Sequence, residues 1–414
     1  MNQLKKKRNI NSFDRLIIFF IVLQVFGGYG GFFQPVRVFI ICSLPWIIKF
    51  CISQASTLGY RYELNTYFIW VSYAIISLLW VIVPIESIKE IIYLFINFSG
   101  FFLLIFISQK AVQPKESIMR GWVILFVLTI PIALGEFWFD KHLSISKWDE
   151  ALTMNFGYMQ MKRNFASVTF NNMNSYSVIL TFILPFIMGG IFTRDCVTSS
   201  KRIGRFLSWM LLFVLVYFVI MNGSRGALLC LMIAMVILLK YYVRSIKTFI
   251  ILSIAISFAV VLFFYFSGHI LDLIKIRLST FKFEDQGRES MITYGLDALV
   301  NSFFMGVGPA DFSPTMLYTY NSKLTSPHNF FLEVLVQYGV VIFLLFMGLF
   351  FRIINKLRKN KNIKYRFIVI VGLFTLPISF IITSGYIVYV WSWLYIASLL
   401  IIADKRYDFS NIIK

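Results

Sequence analysis

The residues best suited to chemistry lie between Gly287 and Gly339. Arg288 opens a helical pattern after Glu284-Asp285-Gln286-Gly287, and a guanidinium at a helix N-terminus can grip phosphate oxygens with its planar fork. Gly306-Val307-Gly308-Pro309 is a turn signal. His328 lies in Thr325-Ser326-Pro327-His328-Asn329, just before the apolar run Phe330-Phe331-Leu332. With Ser326 as N-cap and Pro327 as the first helical residue, His328 is expected in the first turn, where the positive helix end favours a neutral ring able to accept a proton. Glu333 lies one turn beyond Asn329, near enough for the two side chains to bond. Further upstream, Arg225 sits in Met221-Asn222-Gly223-Ser224-Arg225-Gly226, where Ser224 is expected to cap a helix with Arg225 in its first turn. Two arginines and a neutral histidine can neutralise a leaving phosphate and take a proton from a hydroxyl. Each has a plainer alternative: a snorkelling Arg225, an Arg288 paired with Glu284 or Asp285, and a His328 that only caps.

The elements that must hold these residues read as membrane spans. The chain is 59% hydrophobic, 18% aromatic and only 14% charged, which excludes an ordinary soluble domain. Apolar runs of about 17–22 residues fit helices rather than barrel strands, which would alternate every second residue. The expected fold is therefore an all-α integral membrane protein, a single polytopic unit over 1–414. It has about twelve transmembrane helices, from Leu16–Phe33 to Ile387–Ala403 and including Val36–Ile52 and Thr248–Phe266. The net charge of +20 does not imply nucleic acid, because most of the 39 Lys and Arg residues fall in alternate connections, as orientation requires. That bias places both termini in the cytoplasm, and the basic patch Lys5-Lys6-Lys7-Arg8 precedes a retained first span.

Two outer loops break the pattern of short connections, at 140–175 and 267–328. The second carries its own helical periodicity. Ile270, Leu273, Ile274, Leu278 and Phe281 share one face, as in a helix lying on the bilayer surface, and 288–301 repeats the pattern. His142, His269 and His328 all map to the outer side. Cys42, Cys51, Cys196 and Cys230 imply no disulfide framework. No outer loop offers a metal-ligand cluster, so neither metal nor cofactor is expected.

Four stretches together resemble the bacterial O-antigen ligase and O-antigen polymerase superfamily. They are Arg163-Asn-Phe-Ala-Ser-Val-Thr-Phe-Asn-Asn-Met-Asn174 before a span, the Ser224-Arg225-Gly226 turn, Gly287-Arg288 leading to Gly306-Val-Gly308, and His328-Asn329 through Glu333 to Gly339. One departure is Asn171-Asn-Met-Asn174, where the family often shows Asn-Pro-Asn. The resemblance implies a metal-independent membrane glycosyltransferase fold whose large outer loop, about 267–328, carries short helices and the active site. The implied reaction moves glycan from undecaprenyl diphosphate to an acceptor sugar on the outer face of the bacterial cytoplasmic membrane, with inversion. In that reading Arg225 and Arg288 bind diphosphate, His328 activates the acceptor hydroxyl, and Asn329, Glu333, Gly306 and Gly308 support them. The expected partners are an undecaprenyl-diphosphate-linked glycan, an acceptor glycan, membrane lipids and a chain-length regulator. A polymerase of repeat units for capsule, exopolysaccharide or O-antigen is the first reading. A ligase delivering the finished glycan to a lipid or wall acceptor is the alternative. A transporter or flippase of lipid-linked glycan would put charges deep in the spans, whereas here they cluster at the outer surface.

Overall fold

The structure, a computed structural model, describes residues 10–54, 56–146, 155–156, 159–160, 165–192, 201–242, 247, 250, 289–322, 325–383 and 385–408. Its helices are α1 (Ser12–Val22), α2 (Pro35–Cys42), α3 (Leu44–Ser53), α4 (Arg61–Ile76), α5 (Pro84–Lys110), α6 (Pro114–Phe139) and α7 (Met173–Phe192). There follow α8 (Lys201–Asn222), α9 (Arg225–Tyr242), α10 (289–301), α11 (Phe312–Tyr318), α12 (Phe330–Lys359), α13 (Ile363–Ser379) and α14 (Val390–Ala403). One short antiparallel pair joins Asn155–Phe156 to Met159–Gln160.

Among the described residues, five helices are long and apolar enough to cross a membrane, or six if α2 and α3 form one broken span. The sequence expects about twelve. Part of the difference is length, since α1 has 11 residues and α14 has 14. The expected span Thr248–Phe266 lies almost wholly outside the described residues, as do Lys5–Arg8, Cys196, His269 and the amphipathic stretch from Ile270 to Phe281. The expected span Val36–Ile52 is two helices meeting at 54°. Its break falls at Ser43, directly before Leu44-Pro45, and a proline there lacks the N–H needed to continue the first helix.

The bundle packs α1 against α6, α7 against α8 and α13, α9 against α13, and α14 against α5. Aromatic rings fill its centre. Trp70 meets Phe98, Tyr338, Phe346 and Trp393 edge-on, and Phe182 stacks on Tyr395 with centroids 4.0 Å apart. Between helices in a membrane it is such close packing, together with polar bonds, that holds the bundle.

The connections gather at two opposite ends. At one end the chain is basic and cross-braced. Asp14 receives the N–H groups of Val112 and Gln113 at 3.2 and 2.8 Å. Lys115 pairs with Asp408 at 2.5 Å, Arg352 with Glu63 at 3.2 Å and Lys356 with Asp404 at 2.6 Å. Tyr60 and Tyr407 join hydroxyls at 3.0 Å, and Arg406 closes on Asp404. Burial alone would push the Asp404 carboxyl up. The hydrogen bonds from Arg406 and the charge of Lys356 outweigh it and hold the group well below the usual carboxylate range.

Asp404→Asn should therefore destabilise the protein by about 3 kcal/mol, because two cations lose a buried counter-charge. The depressed carboxyl contributes stability that is full above the ordinary carboxylate range and is lost as pH falls through its folded value. Melting curves in detergent should show the wild type losing stability in acid more steeply than the variant.

Candidate functional site

The other end of the bundle carries the residues singled out from the sequence. Its connections have little regular structure, so their backbone groups are met by polar side chains from the helices. Asn222, at the end of α8, clamps the 165–172 loop, its Oδ1 accepting from Ala166 N at 2.8 Å and its Nδ2 donating to Ala166 O at 3.0 Å. Glu136, at the end of α6, receives the N–H groups of Ser167 and Val168, both at 2.8 Å. His142 approaches Glu136 at 3.4 Å and stacks on Phe165. The same loop meets the 23–34 turn through Gly28 N to Thr169 O at 2.7 Å and Thr169 Oγ1 to Val25 O at 2.6 Å.

Arg37, nearly fully buried on α2, ties this turn to the segment before α14. It donates to Gly31 O at 2.9 Å and Val388 O at 2.8 Å, and its guanidinium lies 4.2 Å from the Tyr93 ring centre. Asn97 and Trp393 hold the same segment through Ile387 O, at 2.7 and 3.1 Å. Between the turn, the loop and Tyr389–Trp391 remains a cavity of about 20 Å³, room for one water-sized group. Gln24 and Asn171 line it, and the side-chain oxygen of each is buried there without a hydrogen bond. Arginine inside an expected span was a readable signal for Arg37. Nothing local marked Asn222 or Asn97.

His328 is not in the first turn of α12. It adopts a left-handed backbone, φ 44°, which an α-helix cannot include. The N-cap is Asn329 rather than Ser326, with Oδ1 accepting from Phe331 N at 3.1 Å and Leu332 N at 3.3 Å. The amide of Phe330 is held by Phe380 O at 2.9 Å, which fixes where the helix starts. The argument for a neutral ring from a first-turn position therefore falls, and His328 sits half-buried in the bend just ahead of the cap.

Nor do Asn329 and Glu333 bond to each other through their side chains. Asn329 is committed to the cap, and buried Glu333 accepts from Gly385 N at 3.1 Å, so it braces the same pre-α14 segment as Arg37. Glu90 is its carboxylate neighbour and receives the Tyr338 hydroxyl at 2.6 Å.

Gly306 and Gly308 have a structural task. Helix α12 breaks at Gly339, whose φ of 75° and ψ of 177° leave the helical region. The freed carbonyls of Val336 and Gln337 accept from Val307 N and Gly308 N, both at 2.9 Å, while Val340 N donates to Phe304 O at 3.1 Å. The two backbones are so close that a Cβ on Gly306 would sit 2.6 Å from Gln337 O and from Gly339 N. Trp80 donates to Gly306 O at 3.1 Å, and buried Asp311 accepts from Ile82 N and Val83 N at the start of α5. The carboxyl of Asp311 is raised by burial, against the lowering effect of those two amides.

Arg225 is exposed in the first turn of α9, as expected, with Ser224 O accepting from Leu228 N at 2.9 Å. The following Gly226 packs against Ile382. Its turn and the His328–Phe330 segment therefore both meet the Phe380–Ile382 turn. Arg288 and Glu284-Asp285 lie outside the described residues, as does Arg163.

Residues 210–347, about a third of the chain, match the family model described as O-antigen ligase. The matched stretch contains Arg225, Arg288, Gly306, Gly308, His328, Asn329 and Glu333, and it bears out the resemblance seen in the motifs. No curated protein matches the chain.

Gly306→Ala should cost several kcal/mol, because the clashing atoms are backbone and φ is 90°. Ser302→Ala, which removes the 3.0 Å bond from Gly306 N and the hydroxyl's own 2.9 Å bond to Leu299 O, should cost about 1 kcal/mol. Yield of monodisperse protein and its melting temperature check the order of the two.

Proposed function

We propose that this chain, a member of the O-antigen ligase and polymerase superfamily, is a polymerase that joins glycan repeat units carried on undecaprenyl diphosphate. The observation carrying this reading is that the Arg225 turn and the His328 segment, distant in sequence, both rest on the Phe380–Ile382 turn within one end of the bundle. In the reaction, the acceptor hydroxyl attacks the anomeric carbon in line with the bond to diphosphate. The new C–O bond forms as the old one breaks, and undecaprenyl diphosphate leaves with the bonding electrons. His328 takes the hydroxyl proton, and the anomeric centre inverts. Arg225 and Arg288 meet the growing charge on the diphosphate by charge-assisted hydrogen bonds, without a metal. A ligase that transfers the finished glycan to a lipid or wall acceptor would use the same groups, and the description of the matched family favours it as the second reading.

His328→Ala should fold and bind lipid-diphosphate donor while transfer drops by roughly 10²–10⁴-fold. The wild-type rate should rise with pH as the base loses its proton, and that limb should vanish in the variant. Arg288→Ala should instead lose about 2–4 kcal/mol of transition-state stabilisation, with Lys a poor substitute for the bidentate fork. Measuring donor binding and transfer on the same purified protein checks both, and normal transfer by a folded His328→Ala would remove it as the base.

This reading places the site on the outer face. Cysteines at exposed Lys141 and Asn321 should react with an impermeant label in intact cells, and one at Lys405 only after permeabilisation. Buried Ser146, bonded to Ser167 at 2.7 Å, would be a poor reporter. The reverse pattern would place the site in the cytoplasm and overturn the assignment.

A further inference from the structure

We propose that Phe303, Phe304 and Met305, just past the end of α10, form an apolar wedge seated in the bilayer at the boundary beside the candidate site. None of the three has a part in the reaction proposed above, and the inference stands whichever glycan is handled.

The backbone gives the first reason. Helix α10 ends in a Schellman turn, with Phe304 N donating to Leu299 O and Phe303 N to Val300 O, both at 2.9 Å. The residue past the cap must then be left-handed, a place that glycine fills without steric cost. Here it is Phe303, with φ 53°, followed by Phe304, with φ 62°. Phenylalanine is disfavoured in that conformation, and the ring gains no compensation inside the protein. Phe303 is 86% exposed, and Phe304 and Met305 are exposed as well.

The faces of α10 give the second reason. Met291 and Ala298 pack into a small core with Phe312, Met316 and Val336. Beside that face, Ile292, Leu296 and Val300, spaced i, i+4 and i+8, form an exposed apolar stripe leading to the wedge. Beyond the stripe, Thr293, Asp297 and Asn301 form an exposed polar side, where Asp297 accepts from Asn301 Nδ2 at 3.1 Å and from the Tyr320 hydroxyl at 2.6 Å. A helix whose faces run from core to exposed apolar to polar fits a junction of protein, lipid and water.

Continuity with the spans selects the bilayer over a protein partner. Val340 N, at the head of the second half of α12, donates to Phe304 O at 3.1 Å, and that half continues with exposed Val341 and Leu344. The wedge therefore adjoins the exposed apolar side of a helix long enough to cross a membrane. Tyr73 and Trp80 pair edge-on beside it, with centroids 6.2 Å apart. Their polar tips are tied to its main chain, Tyr73 Oη to Met305 O and Trp80 Nε1 to Gly306 O at 3.1 Å. Tyrosine and tryptophan held in this way suit a membrane–water boundary. Leu79, next to Trp80, is 85% exposed.

The test places photoreactive benzoylphenylalanine at Phe303, at Leu79 and, as control, at Thr293 on the polar side. Each full-length variant is irradiated in nanodiscs of phosphatidylcholine and phosphatidylglycerol, and mass spectrometry identifies the adducts. Phospholipid adducts should dominate at 303 and 79 and be at least about fivefold fewer at 293. A main adduct at 303 to a peptide of this chain or of a second copy would overturn the proposal. So would equal lipid capture at all three positions. With a polyprenyl diphosphate added as a minor component, capture at 303 far above its share of the lipid would mark a substrate groove and overturn the bilayer assignment. Phe303→Asn suits the left-handed backbone but removes the ring, so amides of 289–308 should exchange faster in nanodiscs, and Phe303→Trp should keep them slow. Unchanged exchange in Phe303→Asn would leave the ring without an anchoring role and sink the idea.

Discussion

The break in α12 at Gly339 is the constraint from which the arrangement of the candidate site follows. A helix that leaves the α conformation inside a membrane protein exposes amides and carbonyls that lipid cannot satisfy, so the protein must supply partners. Here the partners are the backbone of 304–308. Two carbonyls from the first half of α12 accept from Val307 and Gly308, and the first amide of the second half is taken by Phe304. Only glycine permits that approach, since a Cβ on Gly339 would meet Met305 O at 2.4 Å. The turn and Asp311 after it are in turn pinned to the connection between α4 and α5, through Trp80 and the amides of Ile82 and Val83. The 304–308 segment is thereby fixed against the first half of α12, and His328 lies two residues ahead of that half.

The same rule explains the buried polar residues elsewhere at this end. Asn222, Glu136, Arg37, Asn97 and Glu333 all bond to main-chain groups of irregular segments rather than to one another. Leaving those main-chain groups unpaired would cost more than burying the side chains that meet them. These residues build a polar floor at the same end of the bundle as Arg225 and His328, the groups proposed for chemistry. Glu333 belongs to the floor, so its part is to hold the Gly385 segment in place.

The apolar runs made most helices legible, because hydrophobic length needs no knowledge of neighbours. Contacts between distant residues were not legible, and the misreadings at the candidate site trace to them. Ser326 and Asn329 are both good N-caps, and local preference does not separate them. The choice is made by Phe380, whose carbonyl takes the Phe330 amide from the end of another helix. The Asn329–Glu333 pair failed for the same reason, since Gly385 competes for Glu333 from outside any local window. The Gly306-Val-Gly308 turn was visible as a turn, but its use depends on Gly339, which looks like any small residue in an apolar run. The kink at Ser43 was better marked, by the proline two residues later.

Dividing α12 at Gly339 also bears on where a lipid-linked donor can react. From Gly339 to Lys359 the helix rises roughly 30 Å at about 1.5 Å per residue, which is close to the thickness of the hydrocarbon core. The second half is therefore long enough to span by itself. With the second half as the span, the first half, with Asn329 and His328 just ahead of it, would lie at or beyond one boundary and Lys359 at the other. A polyprenyl chain stays in the hydrocarbon while its diphosphate sits at headgroup level, so groups that act on the sugar–phosphate bond must stand at the boundary. In the proposed reaction Arg225 would meet that requirement from the first turn of α9, and His328 would meet it because the break frees the start of α12 from the span. An unbroken α12 would have to carry the segment ahead of Phe330 either into the lipid or away from the Phe380–Ile382 turn, which also meets Gly226. The glycine break is what would let one helix both cross the membrane and hold the proposed base, His328, at its surface.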